Sequence, residues 1–449
     1  MHGFPERWNL ICFALAAYFH AQIRKILTLL FQNAHHINAA ATAQGHKQSL
    51  HGPHAEALST AIRTGIHADH LAAFVVSFKA IIGLYPVDCY ADHAGVFTNV
   101  AQQAFTLRAI HCRMQYFHHP SPFITETGAS LQLTIAYKTY GRLHADKRNV
   151  VWICHALTAN ADAESWWPGV VGTGCAIDPE KHFIICANIL GSHYGTTGPL
   201  SIDPATNAPY CSTFPLITIR DMVRAHILLR QHLGIDRILL LAGGSMGGYQ
   251  ALEWALMEKE LIQNLLLLAT AAAESAWGIA IHTAQRMAIE ADESWQQQQP
   301  DGGKAGLKAA RAIGMLTYRN YALFAAQQAD PDPEKLDHFK ASAYLNYQGE
   351  KLVQRFNAYS YWTLTKAMDT HQLARGRKAT IAELLQQIKQ PALVIGISSD
   401  LLCPPDEQRF LASHLPNARY EEIDSPFGHD GFLVEAEKIG ALLKKFMPL

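Results

Sequence analysis

The sequence predicts an α/β fold: a mostly parallel sheet covered by helices on both faces, with a helical cap inserted between late strands. Three observations predict it. Near-continuous apolar runs at 149–154, 183–187, 265–269 and 392–397 alternate with segments of helical spacing, as in strands buried on both faces. Residues 243–247 read Gly-Gly-Ser-Met-Gly between an apolar run and a helical one, a G-x-S-x-G turn in the strand–turn–helix context it requires. Finally, 122 residues, 270 to 391, separate two of the strands, where a crossover needs only about a dozen.

The bulk numbers bound the rest. The chain has 449 residues, enough for one large or two to three ordinary domains. Its 37 basic and 38 acidic residues leave a net charge of −1, so no long-range field draws nucleic acid or an anionic membrane. Hydrophobic residues make up 49% and charged ones 17%, as in a soluble enzyme. The eight cysteines form no CxxC pair, which points to buried free thiols in a reducing cytoplasm and to neither a disulfide framework nor a zinc site. No apolar run reaches the roughly 18 to 20 residues of a membrane helix. Leu10 to Phe19 is apolar, but its leader carries one Glu and one Arg and so lacks the positive region of a secretory signal.

Composition changes near residue 114. Residues 1–113 hold 11 of the 24 histidines and no assignable motif, and are an N-terminal extension of unknown role. The expectation is that Met114 is the physiological start, which an intact mass of native protein tests. The pairs His35-His36 and His118-His119 are adjacent and point apart, so no metal site is expected.

From 131 onward the elements follow in order. Leu131 to Tyr137 alternates like an early edge strand, and 149–154 and 183–187 are buried strands. Leu216 to Leu233 has helical spacing and stops at Gly234. Strand 237–242 runs into the Gly-Gly-Ser-Met-Gly turn, and helix 248–256 leaves it. Strand 265–269 follows. The insert 270–391 is mostly helical, with a Gln- and Gly-rich break at 296–303 and a Pro-rich turn at 331–333. It is expected to cap the C-terminal edge of the sheet, where α/β folds bind ligands. Strand 392–397, a short strand at 420–423 and a helix over 431–446 close the chain. The catalytic core is thus 114–269 with 392–449.

The turn makes Ser245 a candidate nucleophile. Gly243 and Gly247 stand where a Cβ would clash, and a helix N-terminus favours developing negative charge. A serine needs a base, and the base an orienter. In this kind of fold they follow as Asp or Glu, then His. Asp400 stands just past strand 392–397, and His429 in a loop beyond the last strand. Two backbone N–H donors should form an oxyanion hole: that of Met246, next to the nucleophile, and that of Leu157, in the loop after strand 149–154. The neighbouring His155 is expected to be packed or hydrogen-bonded.

From about Met114 onward the chain resembles the homoserine O-acetyltransferases, a branch of the α/β-hydrolase fold. The resemblance rests on Ala136-Tyr-Lys-Thr-Tyr-Gly141, Cys154-His-Ala-Leu-Thr158, Asn188-Ile-Leu-Gly-Ser192, Thr197-Gly-Pro-Leu-Ser201 and Thr218-Ile-Arg-Asp221. It continues through Gly243-Gly-Ser-Met-Gly-Gly248, Gln250-Ala-Leu-Glu-Trp254, Ala284-Gln-Arg-Met-Ala-Ile289, Met368-Asp-Thr-His371, Ser399-Asp400 with Pro404-Pro405, and Gly428-His-Asp430. It implies a ping-pong transfer of acetyl from acetyl-CoA through Ser245 to the γ-hydroxyl of L-homoserine, in methionine biosynthesis. It also implies that Arg286 holds the substrate carboxylate and Asp430 its ammonium, that no cofactor is needed beyond acetyl-CoA as co-substrate, and that the enzyme is a homodimer. The chemistry of the pair agrees, since Arg binds carboxylates bidentately.

The chain departs from the family at Ile281-His282-Thr283, where Phe-Asn-Glu is common, at Ser425-Pro-Phe, and at Cys403. These leave the triad intact but bear on the acyl and acceptor pockets. The alternatives are a succinyl-CoA or L-serine specificity on the same frame, an esterase in which water deacylates Ser245, and a catalytically silent binding protein.

Overall fold

Eight strands form the central sheet of this computed structural model, which describes residues 114–447. The readings for 1–113 lie outside the described residues. In chain order the strands are β1 (Gln115–His118), β2 (Thr134–Tyr140), β3 (Val150–Cys154), β4 (Phe183–Ala187), β5 (Leu240–Gly244), β6 (Leu265–Leu268), β7 (Ala392–Ile397) and β8 (Ala418–Ile423). They lie side by side as β1-β2-β4-β3-β5-β6-β7-β8. β2 runs antiparallel to both of its neighbours, and β4 through β8 are parallel.

Strand alternation sorts the core onto two faces. Trp152, Leu241, Leu267 and Val394 belong to one apolar cluster. Their chain neighbours Val151, Ile153, Ala242, Leu266, Leu268 and Ile395 belong to the other. Both faces are covered, which is why these strands read as continuous apolar runs rather than alternating ones. On the first face Trp152 meets Trp254 edge to face at 5.0 Å.

Several boundaries differ from the sequence reading. The segment 131–137 is not an edge strand. Ser130–Leu131 pairs in a small hairpin with Phe123–Ile124, and β2 begins at Thr134 one place in from the edge. The edge belongs to β1, whose Gln115–His118 pair with Tyr137–Thr134. β5 starts three residues later than expected and includes Gly243 and Gly244, held by ladder pairing to Cys154, Leu267 and Leu268. Tertiary pairing here overrides the weak strand preference of glycine. Helix α1 (Ile219–His232) starts at a capping box between Thr218 and Asp221. The elbow helix α2 is Met246–Met257. The closing helix is interrupted: Gly431–Val434 forms one turn, Glu435 leaves helical geometry, and Ala436–Phe446 follows.

Between β6 and β7 the chain is helical. It carries α3 (Ala276–Glu290), α4 (Lys304–Tyr318), α5 (Tyr321–Gln328), α6 (Lys340–Val353), α7 (Ala358–Asp369) and α8 (Ile381–Leu385). α4 packs on α3 and α6, and α7 on α3. The break at 296–303 is a short 3-10 turn, then Gln298 and Gly303 with φ of 54° and 75°. No described helix is long and apolar enough to cross a membrane.

Candidate active site

The turn between β5 and α2 places Ser245 at φ 54° and ψ −127°, a conformation that costs an L-residue energy and is held by its surroundings. The Ser245 N–H donates to Leu268 O at 2.9 Å, and the Thr270 hydroxyl donates to Ser245 O at 2.8 Å. The glycines around it are there for space. A Cβ on Gly243 would overlap the carbonyl of Gly247, and one on Gly247 the carbonyl of Cys154. The turn therefore presses against the end of β3, where the next functional loop begins.

Three loops at the C-terminal ends of parallel strands bring the triad together. Ser245 Oγ lies 2.9 Å from His429 Nε2, and His429 Nδ1 lies 2.6 Å from Asp400 Oδ2. An ionised carboxylate only accepts, so Nδ1 carries a proton and Nε2 is left to accept from the serine hydroxyl. Asp400 Oδ1 accepts the N–H groups of Leu402 and Cys403 at 2.8 and 2.9 Å. All three side chains are buried. Burial pulls the His429 pKa down, but the charge and hydrogen bond of Asp400, joined by the charges of Asp430 and Glu274, outweigh it and hold the imidazole above its ordinary value.

The loops are stitched by serines to which the sequence reading gives no role. Ser399 Oγ donates to Ser425 O at 2.5 Å and accepts from the Gly428 N–H at 3.0 Å. Ser398 Oγ accepts from the Ser425 N–H at 3.1 Å. Gly428, at φ 64°, lies so close to the backbone of Tyr318–Asn320 that a Cβ would strike it. The loop that carries His429 is thus seated directly on the end of α4.

Leu157 lies in the loop after β3, beside the elbow. Its N–H shares a peptide plane with the Ala156 carbonyl. That carbonyl accepts from His155 Nδ1 at 2.9 Å and from the Ala159 N–H at 3.1 Å. His155 Nε2 accepts from the Ile189 N–H at 3.3 Å. Burial pushes the His155 pKa down to about 4, so the ring is neutral and its tautomer is set. Gln250 Nε2 donates to both His155 O and Met246 O at 3.2 Å, joining this loop to the first turn of α2. Met246 itself is fully buried there.

A cavity of about 520 Å³ opens over Ser245. Leu157, Ser245, His429 and Asp430 line it from the sheet side, and His282, Arg311 and Tyr318 from the helical insert. Asp430 is ion-paired with Arg319 at 3.0 Å. Arg311 sits 5.3 Å from the Tyr318 ring centre, and its buried Nε has no hydrogen-bond partner among the described residues.

Arg286, read from sequence as the carboxylate ligand, is placed differently. It does not line this cavity. Its Nη2 donates to Asp369 Oδ2 at 2.6 Å and to Thr283 Oγ1 at 3.1 Å. The other oxygen of Asp369 meets His282 Nδ1 at 2.9 Å. Arg286 therefore braces the wall behind His282, and on the neighbouring helix α4 it is Arg311 that reaches the cavity. The two belong to neighbouring helices, so only their packing separates the roles. A signal was present in the sequence: Arg311 and Tyr318 stand seven residues apart, on one face of a helix. The motif Met368-Asp-Thr-His371 gains its account too. Met368 lines the cavity, Asp369 holds His282 and Arg286, and His371 Nε2 meets Ala271 O at 3.0 Å.

Cys403 is buried, and burial pushes its thiol well above the usual range. Among the described residues no group of His, Cys, Asp and Glu has a metal-binding arrangement.

Residues 149–436 match a family model described as the alpha/beta hydrolase fold. The chain is 45% identical over 338 residues to a homoserine O-acetyltransferase of Cyclobacterium marinum, covering 75% of this chain and 96% of that one. It is 46% identical to one from Trichormus variabilis, covering 74% and 93%. Among solved structures, a homoserine O-acetyltransferase from Bacillus anthracis superposes with a TM-score of 0.69 at 25% identity, over 74% of this chain and 97% of that one.

Proposed function

The chain belongs to the homoserine O-acetyltransferase family of the α/β hydrolases, and from this we infer that it transfers acetyl from acetyl-CoA to the hydroxyl of L-homoserine. The observation that carries the inference is the Ser245–His429–Asp400 chain opening on a cavity with Arg311 and Asp430 in its lining. A nucleophile with its base suits acyl transfer; a cation and an anion beside it suit an amino acid.

In the first half-reaction Ser245 Oγ attacks the thioester carbonyl and its proton passes to His429 Nε2. The Leu157 and Met246 N–H groups receive the oxyanion. The C–S bond breaks, the proton moves from His429 to the leaving sulfur, and CoA departs from acetyl-Ser245. In the second, His429 takes the proton of the homoserine γ-hydroxyl, whose oxygen attacks the acetyl carbonyl. Ser245 Oγ leaves and recovers the proton. Arg311 pairs with the α-carboxylate and Asp430 with the α-ammonium, while Arg286 supports the wall through Asp369. His429 needs no cofactor for either proton transfer.

Further readings go with this one. The enzyme acts in the cytoplasm, where its donor is made. It works as a homodimer, for which exposed Tyr321, Leu336 and Tyr347 on and between α5 and α6 offer an apolar contact. Sedimentation of the purified protein tests the second: a monomer at micromolar concentration removes it.

The deciding experiment is acceptor-dependent CoA release, with acetyl-CoA or succinyl-CoA, each with and without L-homoserine or L-serine. Release that needs acetyl-CoA and homoserine, with O-acetylhomoserine as product by mass, supports the reading. Preference for succinyl-CoA or serine keeps the triad and revises the pockets. Equal release without acceptor makes water the acceptor.

A further inference from the structure

The cavity lining carries more positive charge than a zwitterionic amino acid calls for. Its cationic side chains are Arg311, Lys351 and Arg355. Its one acid, Asp430, is already paired with Arg319. Homoserine accounts for Arg311 and Asp430, and two cations remain. They stand four residues apart, Lys351 in the last turn of α6 and Arg355 in the turn that continues it through N–H bonds to Leu352 O. That spacing puts them on one side, and both are exposed.

Arg355 is held by one edge only. Nη1 donates to Thr158 O at 2.6 Å and to Tyr194 OH at 2.8 Å, and Nη2 to Thr158 Oγ1 at 3.3 Å. These partners are all neutral. A guanidinium has five donors, so Nε–H and one Nη2–H have no hydrogen-bond partner among the described residues. Those two lie along the side edge of the fork, the edge that meets a phosphate bidentately. Lys351 adds a compact charge beside it.

We propose that Lys351 and the open edge of Arg355 recognise the phosphates of the acyl-CoA donor at the cavity mouth. The proposal rests on the reading that the donor is a CoA thioester. It also gives the other edge of Arg355 a purpose. Thr158 belongs to the loop that carries Leu157, so the residue that meets the remote phosphates also braces the oxyanion loop. Binding energy far from the reacting carbon is in this way applied to orienting the group that stabilises the transition state.

The test compares acetyl-CoA with S-acetylpantetheine, the same thioester arm without phosphates, at saturating homoserine. The preference is the ratio of kcat/KM for the two donors, measured for wild type, Lys351→Ala, Lys351→Glu, Arg355→Gln and Arg355→Lys. We expect the preference to fall about five-fold in Lys351→Ala and Arg355→Gln, further in Lys351→Glu, and less in Arg355→Lys. It should also weaken in wild type as salt is raised. A preference within two-fold of wild type in both the Lys351→Glu and Arg355→Gln variants overturns the proposal. If neither donor acetylates homoserine even with wild type, the functional reading fails by itself. Calorimetric titration with CoA and with pantetheine then reads the site directly: equal affinity for the two rejects it, and tighter CoA binding that Lys351→Glu abolishes upholds it.

Discussion

Arg319, at the end of α4, holds the carboxylate of Asp430 at 3.0 Å, so the helical insert grips the residue that directly follows His429. This contact occupies one oxygen of a carboxylate that lines the cavity together with Ser245 and His429. We predict that Asp430→Asn raises KM for homoserine about ten-fold or more, since a charge-assisted contact to the ammonium is lost. Initial rates at varied homoserine and fixed acetyl-CoA measure it. An unchanged KM would remove Asp430 from acceptor binding.

Arg311 and Arg286 should separate by what their loss does. Arg311→Met removes the cation in the cavity, and we expect a large rise in homoserine KM with the protein still folded. Arg286→Met leaves the half-buried Asp369 carboxylate with His282 as its remaining charged partner, and we expect a loss of about 2 kcal/mol in stability. Thermal denaturation together with KM for both variants distinguishes them. The assignment is reversed if Arg286→Met keeps its melting temperature and loses homoserine binding.

His429 must be neutral to accept a proton, and Asp400 raises its pKa. The rate of acylation by acetyl-CoA should therefore fall as pH drops through a value above about 6.5. For stability the sign is opposite. A raised folded-state pKa means that the protonated ring favours the fold, a contribution present in full below the unfolded value and lost as pH rises through the folded one. In Asp400→Asn the largest raising influence disappears and burial is opposed only by the more distant charges of Asp430 and Glu274, so the inflection should move down while kcat falls by about 10⁴. A pH profile of kcat/KM for the two proteins decides it; an inflection at the same pH in both would mean that Asp400 does not set the base.

Gly247→Ala is expected to destabilise the protein and disable it together. Its Cβ would overlap the Cys154 carbonyl, pushing the elbow from the loop that bears Leu157. A melting temperature equal to wild type would show that the contact relaxes at no cost.

The site was legible in the sequence to an unequal degree. Ser245 and Asp400 could be read because each stands at the end of an apolar run, and His429 because it follows the last strand in the order Ser, Asp, His. The strands themselves could be read because burial on both faces leaves an uninterrupted apolar signal. Gln115–His118 was not recognised as the edge strand. Its four residues show little alternation, and only the pairing partner at 134–137 makes them a strand. The end of β5 lies two residues beyond the sequence reading because Gly243 and Gly244 look like turn residues until the ladder on either side is known.

What the sequence determined by itself was the chemistry: a serine on a turn that only glycine neighbours allow, and an acid and a histidine in loops that a parallel sheet must bring to the same edge. What the tertiary structure decided was which charges share that space. Arg286 and Arg311 are equally plausible in a linear reading, and Lys351 and Arg355 attract no notice in one. Which arginine reaches the cavity and which is held by Asp369 depends on how α3, α4, α6 and α7 pack. Helix packing is set by contacts between segments far apart in the chain, and a local pattern of residues does not encode which of two exposed faces will be turned inward.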